Sequence, residues 1–122
     1  MPVSLVVDTG ADRTLIAPVY YETQGVRYGQ LPGRVDTCSG YGGIVEVKAV
    51  DTTLYLRHDD GRYVRLTLEV EFGKPSPAFE GLPSVLGRDV LDLFRLVIDR
   101  SAGLVCLDTS SREAKADPTL RS

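Results

Sequence analysis

The sequence VVDTGADRTLI, residues 6–16, carries an ionisable carboxylate at the end of an apolar, strand-like run. The apolar residues stop at Asp8, the chain turns at Thr9 and Gly10, and apolar residues resume at Leu15. An Asp before Thr-Gly forms turns readily, because its side chain accepts a hydrogen bond from the backbone two residues on. A turn alone does not explain why a carboxylate should stand between two apolar, strand-like runs.

The composition is that of one soluble globular domain. The chain has 122 residues, of which 43% are hydrophobic and 25% are charged, values close to the average for such domains. The net charge of -3 argues against binding to nucleic acid or to an anionic membrane surface. The apolar runs are too short to span a membrane, and the N-terminus has no secretory signal pattern, so we expect a cytoplasmic protein.

Metal and cofactor chemistry has little support in the sequence. Cys38 and Cys106 do not have the spacing of metal ligands, and His58 is the single histidine. We interpret both cysteines as ordinary small side chains and expect neither a metal nor a cofactor.

Alternating and turn-forming residues predict short strands in most of the chain. Residues 64–72, VRLTLEVEF, alternate apolar with polar residues and predict a strand with one buried face. Residues 44–50 and a run ending at Arg57 predict two more strands, and the Asp-Gly pair at 60–61 predicts a hairpin turn that exposes His58.

The second half continues this pattern up to a polar end. Residues 73–84 carry three prolines and predict a loop, followed by a short strand and a short helix over 89–94. Strands at 95–99 and 104–107 flank a turn at 101–103. We therefore expect an all-β domain over residues 1–107 and a polar, disordered tail over 108–122.

Three motifs, taken in order, resemble the retropepsin-like (retroviral-type) aspartic proteases. They are DTGAD at 8–12, SGYGG at 39–43 and VLGRDVL at 85–91. In that family the first motif is the catalytic turn, the second is a glycine-rich flap and the third opens a helix. The resemblance implies a closed acid-protease barrel of short strands with one short helix near the C-terminus, in a single lobe that pairs as a homodimer.

The resemblance also implies roles for individual residues. The catalytic turn would be Asp8, Thr9 and Gly10, with Thr9 bridging the two copies of the turn. Substrate contacts would come from Ala11, Asp12, Arg13, Gly40, Tyr41, Gly42 and Gly43. Gly87 and Arg88 would support the site, with Arg88 paired to Asp12. The other interpretations are a solvated helix start at Arg88 and a plain loose hairpin at residues 39–43.

One chain supplies only half of such a site. Asp-Thr occurs at 8–9, 36–37, 51–52 and 108–109, but glycine follows only the first pair. The predicted enzyme is therefore an aspartic endopeptidase in which two Asp8 carboxylates of a homodimer activate water and an extended peptide is the substrate. The alternative is a catalytically silent module of the same fold that dimerises or binds extended peptides.

Two departures from the family pattern bear on partners. Seven residues precede Asp8, where the family has a longer segment that helps to build the dimer sheet. The resemblance therefore leaves the mode of dimerisation open. Arg13 stands where the family often has a small or acidic substrate contact, which predicts a preference for acidic residues in the substrate.

Overall fold

The protein consists mainly of strands, which confirms the all-β class. The computed structural model describes residues 2–40 and 43–109. In these ranges the elements are β1 (Leu5–Val7), β2 (Leu15–Ile16), α1 (Pro18–Glu22), β3 (Arg34–Gly40), β4 (Gly43–Arg57), β5 (Tyr63–Gly73), β6 (Ser84–Leu86), α2 (Arg88–Leu91), β7 (Arg95–Asp99) and β8 (Leu104–Asp108), with 3-10 turns at Tyr28–Gln30 and Pro77–Phe79.

Six strands form one curled sheet in the order β1-β6-β2-β5-β4-β3, and β7 and β8 form a separate hairpin. β1 runs parallel to β6, and the short β2 lies between β6 and β5. The sequence predicted a closed barrel. Within the described residues the strand order ends at β1 on one side and at β3 on the other, so the sheet is a curled half-barrel.

β4 and β5 form a long antiparallel hairpin that carries most of the sheet. The runs predicted as separate strands at 44–50 and before Arg57 are one continuous strand of 15 residues. The turn forms where the Asp-Gly pair predicted it, with the His58 amide donating to the Arg62 carbonyl at 2.7 Å. His58 itself is half-buried, and its Nε2 lies 3.0 Å from the Thr109 hydroxyl.

The sheet buries apolar side chains on both faces. The larger cluster packs α1 and α2 against one face, with the buried members Ile16, Tyr21, Leu54, Val64, Leu66, Val70, Leu86, Val90 and Leu91. The smaller cluster lies on the other face and consists of Leu15, Val45, Val47, Phe79 and Val85. β5 was predicted to have one buried face, but near its end the loop carrying Phe79 covers the second face as well.

Two helices are present in the described residues, where the sequence predicted one. α1 begins with Pro18 at its first turn, a position where proline fits because no amide donor is needed there. Tyr21 anchors it to β5 by donating a 2.7 Å hydrogen bond to the Gly73 carbonyl, and burial raises the pKa of this phenol to about 12. α2 is shorter than predicted, because it ends at Leu91 rather than at Phe94.

The last strand extends one residue past its predicted end at residue 107. Asp108 is the last residue of β8, and Thr109 is buried. The predicted tail from residue 110 onward lies outside the described residues. Among the described helices, neither has the length and apolar character that crossing a bilayer requires.

Candidate active site

The turn at Asp8 is closed by its own hydrogen bonds. The Ala11 amide donates to the Asp8 carbonyl at 3.2 Å, and the Gly10 amide donates to Asp8 Oδ1 at 2.9 Å. The Asp8 amide in turn donates to the Leu86 carbonyl of β6 at 3.0 Å. The Asp8 carboxylate is therefore held in a defined direction just after β1, because the Gly10 amide donates to its Oδ1.

The start of α2 supports this turn from behind. The Arg88 amide donates to the Ala11 carbonyl at 2.8 Å, and the Asp89 amide donates to the Asp12 carbonyl at 3.2 Å. At Gly87 the approach is so close that a Cβ atom would lie 2.4 Å from the Arg13 carbonyl carbon. Gly87 lies 79 positions after Asp8 in the sequence. Glycine here lets the backbones of the two motifs pack directly against each other.

Thr14 and Asp89 lock the same junction and were not among the predicted site residues. Thr14 is fully buried. Its hydroxyl donates to Asp89 Oδ1 at 2.7 Å and accepts from the Gly87 amide at 3.1 Å, while its amide donates to Asp89 Oδ2 at 2.9 Å. The sequence contained one sign of this contact, because Asp89 belongs to the VLGRDVL motif at 85–91. Its carboxylate accepts hydrogen bonds from Thr14.

The two arginines of the motifs both contact acids of the same chain. Arg88 forms an ion pair with Asp12, the pairing that the resemblance implied, and both side chains remain mostly exposed. The Arg13 guanidinium lies 3.8 Å from the carboxylate of Glu69. A surface ion pair of this kind adds little to the stability of the fold. Its effect is to restrict the orientation of the Arg13 side chain.

An open cleft of about 490 Å³ lies above the turn. The predicted residues that line it are Asp8, Gly10, Ala11, Asp12, Arg13 and Gly40. Its other lining residues, which the sequence did not single out, are Leu15, Asp36, Thr37, Cys38, Ser39 and Glu71. The cleft therefore lies between the Asp8 turn and one strand of the β3–β4 hairpin, the predicted flap.

The remaining predicted residues lie around this cleft or outside the described ranges. Thr9 is exposed at the tip of the turn and does not line the cleft. Gly43 begins β4 and pairs with Gly40, as expected for a hairpin near its tip. Tyr41 and Gly42 lie outside the described residues, and their predicted contact with substrate stays a prediction.

Glu71 is the least expected residue of the cleft. The alternation in β5 placed it on the polar face, yet its side chain is only 7% exposed. Its position follows from pairing, since β5 runs beside Leu15 of β2 and Ala49 of β4 at this level. Burial is the main reason why the pKa of its carboxyl is raised, with Asp36 adding to the effect and Arg13 opposing it.

Metal ligation has no candidate set in the part of the chain that the structure describes. No group of three or more His, Cys, Asp or Glu side chains within these ranges is arranged to hold an ion. The side chains that line the cleft bring carboxylates, one guanidinium, the hydroxyls of Thr37 and Ser39 and the thiol of Cys38.

Comparison with known proteins gives similarity to solved structures but not to curated sequences. No protein-family model matches the chain, and no curated protein matches its sequence. Among solved structures, an EIAV protease complexed with the inhibitor HBY-793 is similar in structure, at 23% sequence identity and a TM-score of 0.45, covering 75% of each chain. The functional interpretation rests on the residues of the cleft.

Proposed function

We propose that this protein is an aspartic endopeptidase that works as a homodimer, with Asp8 of each chain in one catalytic pair. The observation that carries the proposal is the carboxylate of Asp8, held at the floor of an open cleft by a turn that α2 supports from behind. Catalytic geometry must be fixed to a fraction of an ångström. Such fixing is provided by the Leu86 carbonyl, which accepts from the Asp8 amide, by the Gly10 amide, which donates to Asp8 Oδ1, and by the amides at the start of α2.

The chemistry requires two carboxyl groups. One carboxylate takes a proton from a water molecule as the water attacks the scissile carbonyl, while a protonated carboxylic acid polarises the carbonyl oxygen. Two carboxylates a few ångströms apart cannot both ionise, so the pair shares one proton and titrates as a unit. No metal and no covalent intermediate is needed.

The second carboxyl must come from another copy of the chain. Of the other acids that line the cleft, Asp12 is paired with Arg88 and Asp36 with Arg34. The fourth acid, Glu71, is buried in a strand and does not lie in a turn equivalent to that of Asp8. A two-fold axis beside the Asp8 turn would bring the two turns together and complete the site.

The β7–β8 hairpin is the surface that we assign to this dimer contact. It is not hydrogen-bonded to the six-stranded sheet, and it packs against the larger core cluster through Leu107. Two strands alone are only marginally stable in water. Ile98 and Val105 are cross-strand neighbours, and they are 60% and 58% exposed. A second hairpin packed against them would bury this apolar pair and cover strand edges that would otherwise stay unpaired.

An extended peptide suits the cleft as substrate. β3 lies at the edge of the sheet, and its residues from Asp36 to Gly40 line the cleft. A free strand edge can bind an extended chain by main-chain hydrogen bonds, while pockets select alternate side chains. The EIAV protease complex provides a similarly folded protein with an inhibitor bound.

The test is cleavage of a mixed octapeptide library at about pH 4 to 7 by the wild-type protein and by Asp8→Asn. We expect cleavage by wild type and a loss of about a thousandfold or more in the variant, because both a general acid and a general base depend on this residue. Circular dichroism and sedimentation should be unchanged in Asp8→Asn. A stable wild-type dimer that binds peptides without cutting them would support the silent module instead.

A further inference from the structure

Glu71 lines the cleft but has no role in the proton transfers of the proposed mechanism. Its side chain is 7% exposed, and it lines the same cleft as Asp8. Its backbone is rigid, because its amide donates to the Thr14 carbonyl at 3.1 Å and β5 is paired on both sides at this level. The Cα atom of Glu71 is therefore held at a fixed place in the wall of the cleft.

The neighbouring acids have cationic partners, and Glu71 has none among the described residues. Arg34 bonds both Asp36 and Glu69 at 3.0 Å, and Glu69 also faces Arg13. No hydrogen bond or ion pair joins the Glu71 side chain to any residue in the described ranges. The Glu71 oxygens are not among the fully buried, unpartnered side-chain atoms of the described residues, so they are open to the cleft. A cationic group bound in the cleft would give this carboxyl the charged partner that the described residues do not provide.

The charge of the cleft limits what that partner can be. Four acids line it, of which Asp12 and Asp36 are paired with Arg88 and Arg34. Arg13, the cation that lines it, lies 3.8 Å from Glu69. Beside Glu71 an acidic substrate side chain would be disfavoured, in contrast to the preference expected from Arg13 alone. A lysine or arginine side chain fits instead, since its apolar stem can lie on Leu15 while its head reaches a carboxylate.

We propose that Glu71 is a specificity-determining residue that selects peptides with a lysine or arginine side chain at the position facing it. This proposal rests on the proposed function, because it assigns the substrate class of the same cleft. The role of Glu71 is recognition, and it takes no part in the proton transfers at Asp8.

A pH-dependent selectivity follows from the surroundings of this carboxyl. Burial raises its pKa most, Asp36 and Asp89 raise it further, and Arg13 and Arg34 lower it. The other titratable groups that face the cleft are Cys38, Asp8 and Asp12. The preference for a basic side chain should therefore strengthen as the pH rises and the Glu71 carboxyl ionises.

The first experiment compares cleavage of octapeptides that carry lysine or norleucine at each position in turn. Wild type should prefer lysine at one position by about tenfold or more, as expected for a hydrogen bond to a charged group. Glu71→Gln should lose that preference, so that the lysine and norleucine peptides are cleaved at equal rates. The matched control is Glu69→Gln, which lies on the same face of β5 but is exposed and outside the cleft lining, and which should keep the preference.

A binding experiment separates this proposal from the proposed function. The same peptides are titrated into Asp8→Asn and into Asp8→Asn/Glu71→Gln, neither of which is expected to cleave them. Tighter binding of the lysine peptide that disappears with Glu71→Gln supports the proposal even if wild type cleaves nothing. Equal binding of lysine and norleucine peptides at every position, or a lysine preference that survives Glu71→Gln, would overturn it while leaving the test of Asp8 intact.

Discussion

Gly87 occupies a point where the backbone of Arg13 leaves no room for a side chain. A Cβ atom there would lie 2.4 Å from the Arg13 carbonyl carbon and 2.5 Å from its oxygen. Both contacts are to backbone, so no side chain can rotate away to relieve them. The absence of a side chain at Gly87 therefore allows the β6–α2 junction to approach the Asp8 turn this closely.

Gly87→Ala should destabilise the fold by about 1–3 kcal/mol, the usual cost of forcing an extra carbon into a packed site. Gly29→Ala is the matched control, because no atom lies within 4 Å of the corresponding position. Its effect should stay within about 0.5 kcal/mol. Urea unfolding of the two variants gives the comparison, and equal stabilities would show that the junction relaxes freely.

Glu71 should make stability depend on pH in the opposite sense to an ordinary salt-bridged acid. Burial raises its pKa in the folded protein above the usual 4.5, so the folded state holds the proton more tightly than the unfolded state. The contribution of this carboxyl to the free energy of unfolding is fully present below about pH 4.5. It is lost as the pH rises through the pKa of Glu71 in the folded protein. Glu71→Gln should therefore have a higher Tm than wild type near pH 7, and the difference should shrink towards pH 4. Parallel Tm curves for the two proteins would contradict the assigned burial.

At the scale of elements, the motifs and turn signals predicted the strands around the site well. The Asp-Gly turn, the strand at 95–99 and the hairpin that ends near Gly43 all form as expected. These signals are local, because turn-forming pairs such as Asp-Gly and the alternation of apolar with polar residues involve only residues close in sequence. They needed no knowledge of the rest of the chain.

What the sequence missed depends on contacts between distant segments. No helix was predicted at Pro18–Glu22, where Val and Tyr are weak helix formers, and Tyr21 is held by the distant Gly73 carbonyl. Glu71 follows the polar alternation of β5, but β2 and the loop around Phe79 bury that face. Thr14 gives no local sign of its buried hydrogen bonds to Asp89.

The β7–β8 hairpin is the element on which we expect dimerisation to depend. Val105→Glu should weaken the dimer and reduce peptide cleavage in parallel, because a charge would be placed at the centre of the apolar contact. The monomer fold should survive, since Val105 is 58% exposed. Val19→Glu on α1, at 61% exposed, is the matched control and should leave both properties unchanged. Sedimentation velocity and cleavage assays together check this, and a Val105→Glu protein that remains a fully active dimer would exclude the hairpin as the contact.

For the whole molecule, the half-barrel provides the frame for one half of a site. The curled sheet, the supported turn and the edge strand β3 converge on a cleft that contains one Asp8. Under the proposed function a catalytic carboxyl pair requires two chains, so activity should depend on chain concentration as dimer formation does.

The most direct test of this account mixes wild-type chains with Asp8→Asn chains and allows the subunits to exchange. If each site needs Asp8 from both chains, the mixed dimers are inactive and activity falls as the square of the wild-type fraction. An equal mixture should then retain roughly a quarter of the activity of the same total amount of wild type. Retention of half of the activity, in proportion to the wild-type chains present, would show that one chain is sufficient and would contradict the account.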